Sequence, residues 1–203
     1  MPTDQPADDA PRAAKIEQFE RRRATDDPET STAVRAPGEH TTDWRALTGS
    51  DIVDLATRLR SLDGSRPMDT VPQLAEAFGW TVLTAHPDWA LLDAGFGMAS
   101  GKIHGRSGLI VDIKLRVTDF APDHPAGQAW SRDTFGAMAA ALIGAFGEPT
   151  SRIRHITTEI RWAGAEATLV LMDVGRSVEL SLVANPWLEL HDQAIEMAEH
   201  ELD

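Results

Sequence analysis

The feature that most constrains the fold of this chain is an alternation of residue types between positions 109 and 118, which only Ile110 interrupts. Apolar side chains occupy every odd position, whereas Asp112, Lys114 and Arg116 lie between them. A period of two places successive side chains on opposite faces of a β-strand, and one wet face is typical of antiparallel sheets. The pattern therefore predicts a central strand with one polar face and one face towards the core. Leu115 is expected to point into the core.

Helical spacing and turn signals surround this strand on both sides. Two helices are predicted before it, the first with Ser50 as its N-cap, and a long helix is predicted after it over residues 125–146. Short apolar runs separated by glycine-containing turns then predict three further strands, at 158–163, 167–173 and 177–184.

A final helix is expected after these strands, with Asn185 as its cap. Its apolar side is formed by Leu190, Ala194, Met197 and Ala198. Hairpin-length links imply antiparallel pairing, and helices packed on such a sheet define an α+β fold. We therefore predict an α+β domain with an antiparallel sheet of about six to seven strands, in the order α-α-β(4)-α-β(3)-α.

The first 43 residues differ in composition from the rest of the chain. They hold ten acidic and six basic residues, and their apolar side chains larger than alanine are almost limited to Ile16, Phe19 and Val34. Such a segment buries too little apolar surface to offset the entropy lost on ordering it. We predict a disordered tail over residues 1–43, whose deletion leaves thermal stability nearly unchanged, and a single domain over residues 44–203.

The charge balance narrows the class of partner. The 203 residues include 19 Lys and Arg against 32 Asp and Glu, which gives a formal net charge of −13. Nucleic acids and anionic membrane surfaces attract proteins with an excess of Lys and Arg, so we expect neither as a partner. A basic protein would be attracted over distance. The alternative is that the acidity serves solubility alone.

Sequence signals for export, membrane insertion and disulfide bonding are missing. The chain has no apolar run near the ~20 residues of a membrane-spanning helix, and its first residues lack the apolar core of a signal peptide. It contains no Cys, which excludes disulfides, thiolate metal ligands and a thiol nucleophile. We therefore expect a cytoplasmic protein.

A glycine-rich stretch from Gly95 to Lys102 partly matches a phosphate-binding loop. Its glycine spacing departs from the Walker A pattern, and Ile103 replaces the Ser or Thr that would bind Mg²⁺. A strand is predicted to follow, so no helix N-terminus would receive the phosphate. We predict a glycine-rich hairpin or bulge at this place, and no cofactor or metal site in the chain.

An enzymatic site is the alternative that the charged residues leave open. Asp112, Asp119, Glu159 and Glu179 include possible partners for acid–base chemistry, although the sequence does not fix their separations. The serines lack the motifs of activated nucleophiles, and the histidines are dispersed. We therefore predict that the protein is not an enzyme. A deep cavity with converging histidines and carboxylates would favour an enzyme instead.

The aromatic residues are unevenly distributed among types, with six Trp and no Tyr. Trp89 and Trp187 lie at the boundaries of predicted elements. An exposed Trp is a frequent anchor at protein interfaces because it combines a large apolar surface with one hydrogen-bond donor. We predict Trp89 and Trp187 as partner-binding residues.

Three stretches carry a resemblance to a known family: DWALLDAGFGMASGK (88–102), RVTDF (116–120) and GEP (147–149). Through them the segment from Trp44 to about Trp187 resembles an uncharacterised family of small actinobacterial domains of unknown function, which supplies no established catalytic residue. The order of elements is also similar to the secretion-chaperone-like (YbjN-like) α+β fold. That resemblance implies protein binding of the kind performed by chaperones and immunity-type proteins.

These observations favour a non-enzymatic protein-binding module. We expect a chaperone-like or immunity-like protein that holds a partner protein, with a basic partner favoured by charge, through an acidic surface with Trp anchors. A structural or regulatory subunit recruited by its N-terminal tail is a second interpretation. A small hydrolase-type enzyme with a carboxylate/His site is the third.

Overall fold

The computed structural model describes residues 44–62, 66–154 and 157–200, with the side chains of 198–200 left out. The tail predicted over residues 1–43 and the side chain of Ala198 therefore lie outside the described residues. The α-helices of the described part are α1 (Gly49–Arg60), α2 (Val71–Phe78), α3 (Pro125–Phe146) and α4 (Asn185–His200). A short 3-10 turn (Met68–Thr70) precedes α2.

Local hydrogen bonds fix the ends of the first three helices. Thr48 caps α1 in place of the predicted Ser50, because Thr48 and Asp51 exchange side-chain and backbone hydrogen bonds in a capping box. The left-handed residue that ends α2 is Gly79, with a φ of 74°. His124 caps α3 by accepting a backbone N–H of the first turn.

One antiparallel sheet of eight strands forms the centre of the described fold. Its strand order is β1-β2-β3-β4-β8-β7-β6-β5, so two four-stranded meanders meet where β4 pairs with β8. The strands are β1 (Thr81–His86), β2 (Trp89–Asp93), β3 (Gly101–Arg106), β4 (Leu109–Arg116), β5 (Ser151–Arg154), β6 (Thr158–Ala163), β7 (Ala167–Asp173) and β8 (Val178–Ala184).

The predicted α+β class and antiparallel pairing are confirmed, but the predicted number of strands is too small. The second meander has four strands instead of three, because β5 was missed. This strand is short, and Arg152 and Arg154 alternate with Ser151 and Ile153, so it lacks an apolar run. Its pairing with β6 defines it as a strand, and that pairing is not visible in the local sequence.

The first face of the sheet, towards α1 and α3, holds the main apolar core. Helices α1 and α3 pack on each other and on β7 and β8, and α2 packs on β1. Leu115 of β4 is 1% exposed and shares the core with Met138 and Leu142 of α3, as predicted. The largest fully buried side chains contributed by the strands are Leu92, Ile103, Leu115, Leu169, Leu171 and Leu180.

Candidate partner-binding surface

The second face of the sheet carries the polar half of the alternation seen in the sequence. Asp112, Lys114 and Arg116 of β4 lie on this face, and the register with β8 places Lys114 beside Ser181 and Arg116 beside Glu179. Charged and hydroxyl groups therefore extend across the junction of the two meanders, where the first face has only apolar side chains.

Helix α4 covers part of the second face, where it packs on β7 and β8. The side-chain amide of Asn185 donates to the carbonyl oxygens of Gly164 and Ala165, each at 3.1 Å, in the turn between β6 and β7. The Asn185 amide oxygen also accepts from the Thr168 hydroxyl at 2.8 Å. These bonds fix the start of α4 at one end of the sheet.

A second attachment of α4 depends on Arg161 of β6. The Arg161 guanidinium donates to both carboxylate oxygens of Asp192, at 2.6 and 2.8 Å, and to Glu159 Oε1 at 2.6 Å. Because the Arg161 side chain is only 10% exposed, these charge-assisted bonds are largely shielded from water. The bonds from Arg161 hold the pKa of the Asp192 carboxyl below its usual range, despite an opposing effect of burial.

A cleft of about 490 Å³ lies next to this attachment, between α4 and strands β4 to β7. His191 and Glu196 of α4 line it together with Lys114 of β4. A smaller cavity of about 90 Å³ shares Lys114 and His191 and extends to Asp112 and Trp187. The second face thus has a charged depression that α4 covers only in part.

Asp112 and His104 form a cross-strand pair on the second face. Asp112 Oδ2 lies 3.3 Å from His104 Nδ1. The other carboxylate oxygen, Oδ1, is buried and has no hydrogen-bond partner among the described residues. Within that same part of the chain, no serine or threonine hydroxyl is hydrogen-bonded to a histidine.

An apolar pocket of about 320 Å³ lies at the start of α4. Trp187 and Leu190 of α4 line it with Leu109 and Ile110 of β4. Leu109 and Leu190 remain 42% and 49% exposed, so the pocket is open. The Arg106 guanidinium lies 5.3 Å from the centre of the Trp187 ring, within the range of a cation–π contact.

The apolar side of α4 is not the side that packs on the sheet. Leu190 and Met197 are 49% and 66% exposed, and Ala194 is exposed as well. The apolar α4 side chains that line the cavities beneath the helix are Trp187, Leu188 and Ile195. The sequence grouped these residues as the apolar side of the helix but did not show which way that side faces, and in the structure it is largely exposed. We call this exposed row, together with the half-buried Trp187 at its start, the α4 stripe: Trp187, Leu190, Ala194 and Met197, at helical spacings of three, four and three.

The two tryptophans predicted as anchors lie in different parts of the surface. Trp187 belongs to the α4 stripe and to the apolar pocket. Trp89 is half-buried at the start of β2, stacks on His86 with ring centres 4.1 Å apart, and pairs with His104 on the second face. Partner binding by Trp89 and Trp187 stays a prediction.

Three of the four carboxylates considered for acid–base chemistry lie on the second face, namely Asp112, Glu159 and Glu179. Glu159 accepts from Arg161, as described above, and Glu179 Oε2 lies 3.9 Å from Lys114 Nζ. Asp119 lies in the segment that follows β4 and is not part of this face.

Asp119 accepts from Arg45 through both of its carboxylate oxygens, at 2.9 to 3.2 Å. These hydrogen bonds hold the pKa of Asp119 below its usual range.

Arg161 and Asp192 are the surface residues that sequence reasoning missed. One signal was available: Glu159 and Arg161 alternate with Ile160 and Trp162 in β6, and a basic residue in such a strand needs a partner. The partner on α4 follows only from the tertiary packing, because Asp192 lies 31 residues further along the chain.

The glycine-rich stretch forms the connection between β2 and β3, as predicted. Gly95 and Gly97 adopt φ values of 103° and 89°, and the segment leads into β3 at Gly101 rather than into a helix. Within residues 44–62, 66–154 and 157–200, no group of three or more His, Asp or Glu side chains is placed to hold a metal ion. None of the helices in these ranges combines the length and apolar character needed to cross a membrane.

Comparison with known proteins gives a family and no further relative. Residues 50–184 match the model of a family of unknown function (DUF6301). The chain belongs to this family. The segment matched by DUF6301 includes all eight described strands, and α4 follows it. No curated protein and no solved structure matches the chain.

Proposed function

We propose that this DUF6301 member is a non-enzymatic, cytoplasmic protein-binding module that holds a basic partner, in the manner of a chaperone or an immunity protein. The observation that carries the proposal is the combination, at α4, of an open apolar pocket containing Trp187 with a strongly acidic segment. An apolar pocket can receive a large side chain of a partner, and surrounding charge can select the partner's sign.

The charge of the C-terminal segment of the sequence is one-sided, although Arg106 of β3 lies beside Trp187. The 27 residues that follow Arg176 contain seven acidic residues and no Lys or Arg. A basic partner would be drawn towards this segment, whereas an acidic one would be repelled. The charge therefore supports a basic protein as the partner and gives a direction to its approach.

The hydrogen bonding of the cleft argues against acid–base catalysis by the two carboxylates that accept from Arg161. Glu159 and Asp192 both accept from Arg161, and the lowered pKa of Asp192 makes it a weak proton acceptor near neutral pH. Among the described residues, two arrangements support the alternative of a hydrolase-type site: the His104–Asp112 pair, and His191 with Glu196 in the cleft of about 490 Å³. Loss of a measured turnover in His104→Ala would establish that alternative and overturn the proposal.

Affinity capture from the native cell tests the proposal. The full chain is immobilised beside Trp187→Ala, Trp89→Ala and a control, Met98→Ala, which truncates an 82% exposed methionine in the β2–β3 connection. We expect a basic protein to be retained by the full chain and by Met98→Ala, and lost from Trp187→Ala. Equal retention of the partner by Trp187→Ala would show that the apolar pocket is not part of the binding site.

Deletion of residues 1–43 distinguishes the proposed module from a structural or regulatory subunit that is recruited by its tail. A structural or regulatory subunit recruited by its tail would lose its partner on truncation and keep it in Trp187→Ala. The proposed module would show the opposite pattern, because its contacts are made by α4 and the sheet.

A further inference from the structure

The α4 stripe is an apolar row that the fold covers only in part, at its Trp187 end. The helix is attached to the sheet through Asn185 and Asp192, neither of which belongs to the stripe. Leu190 and Met197 are left largely in water. Burial of such a row against a partner would gain roughly 25 cal/mol for each Å² of apolar surface covered.

The shape of the stripe selects a helical partner. Trp187 and Met197 are ten residues apart, so the row runs for roughly 15 Å along the helix axis. Apolar side chains at spacings of three and four form a ridge, and a second helix accepts such a ridge in the groove between its own side chains. The apolar pocket at the Trp187 end can take one large side chain from that helix.

The charge of α4 favours a different protein over a second copy of this chain as the partner of the stripe. Glu189, Asp192 and Glu196 lie outside the stripe on the same helix, which has no Lys or Arg. A second copy would bring two acidic helices together in a chain of net charge −13, and like charges at an interface oppose association. A helix rich in Lys or Arg would form opposite-charge contacts instead.

We propose that the α4 stripe docks a basic amphipathic helix of the partner protein, with one large apolar side chain of that helix in the pocket beside Trp187. This inference rests on the proposed protein-binding function and specifies the site and the secondary structure of the partner. The stripe and pocket provide most of the affinity, and the acidic residues mainly accelerate association.

Three synthetic peptides of about 18 residues provide the probe, a length above the ~12–15 residues at which isolated helices are marginal. The first places Leu at helical spacing among Lys residues. The second has the same composition with the Leu positions scrambled, and the third keeps the Leu spacing but replaces Lys by Glu. We expect fluorescence anisotropy to detect binding of the first peptide at least tenfold tighter than either of the others, with slower association as salt rises.

Two stripe variants and one control variant locate the binding site. Leu190→Asp should weaken binding of the first peptide at least tenfold, while Met98→Asp, which places the same charge on an exposed methionine outside α4, should leave it within about twofold. Circular dichroism of both variants checks that they are folded, and Met197→Asp repeats the test at the other end of the stripe. Equal binding of the scrambled peptide, or unchanged binding by both stripe variants, would overturn the inference.

Two further results separate this inference from the proposed function. If the protein captured from cells binds through Trp187 but its bound segment is not helical by NMR, the helix-docking inference fails and the binding function stands. If sedimentation shows a dimer of the full chain that Leu190→Asp dissociates, the stripe belongs to a second copy and the inference is wrong.

Discussion

The two faces of the sheet are built from the same eight strands but differ in what covers them. The first face is apolar and packs against α1 and α3, with Leu92, Leu115 and Leu180 fully buried. The second face carries charged and hydroxyl side chains and is covered in part by α4, which is attached by a few polar bonds. The comparison indicates that the first face supplies most of the stability and that the second face is available for recognition.

Neighbouring leucines on β2 provide the largest expected difference between the faces. Leu92 is fully buried on the first face, and Leu91 is half-buried on the second. We expect Leu92→Ala to lower the free energy of unfolding by about 4 kcal/mol, because it leaves a cavity in a packed core. Leu91→Ala should cost about 1 kcal/mol. Equal costs in urea unfolding would break the comparison.

Arg161 is the residue whose loss should destabilise the second face most. Arg161→Met leaves the Glu159 carboxylate, which is only 11% exposed, without its cation. We expect a loss of about 3 kcal/mol, measured by chemical denaturation. The double variant Arg161→Met/Glu159→Met serves as the control and should recover part of the loss, because Glu159, the more buried of the two carboxylates, is no longer left without its cation. A cost below about 1 kcal/mol for the single variant would contradict this assignment.

A smaller, pH-dependent effect is expected at Asp192. The pKa of its carboxyl is lowered in the folded chain, so the ionised form is favoured by folding. This stabilisation is present in full above the unfolded pKa of ~3.9 and is lost as the pH falls through the lowered folded value.

Asp192→Asn should therefore cost about 1 kcal/mol near neutral pH, since the Asp192 side chain is 37% exposed even though Arg161 is buried. The difference from the natural chain should disappear in acid. A difference that persists below the lowered pKa would show that the carboxylate charge is not its cause.

The α4 stripe should give the smallest effect on stability. Met197→Lys and Leu190→Lys change side chains that are 66% and 49% exposed. We expect the free energy of unfolding, measured by thermal denaturation, to change by less than about 0.5 kcal/mol in either variant. A larger destabilisation would show that the stripe is part of the core, which would remove the distinction between the faces.

The sequence predicts the structure of the first face more completely than that of the second face. The alternation from 109 to 118 placed Leu115 correctly, since a period of two assigns each side chain to a face. It did not reveal β5, whose short run of alternating arginines becomes a strand by pairing with β6. Nor did it show how α4 lies on the sheet, because the Arg161–Asp192 bond joins residues 31 positions apart and leaves the apolar stripe largely exposed.

Hydrogen exchange of the full chain, with and without the captured partner, tests most directly the claim that the second face and α4 form the binding surface. We expect the partner to slow exchange in α4 and in the β3–β4 hairpin around residues 106–111, which borders the apolar pocket. Exchange in α1 and α3 should stay unchanged. Protection confined to those two helices, with none in α4, would contradict the account.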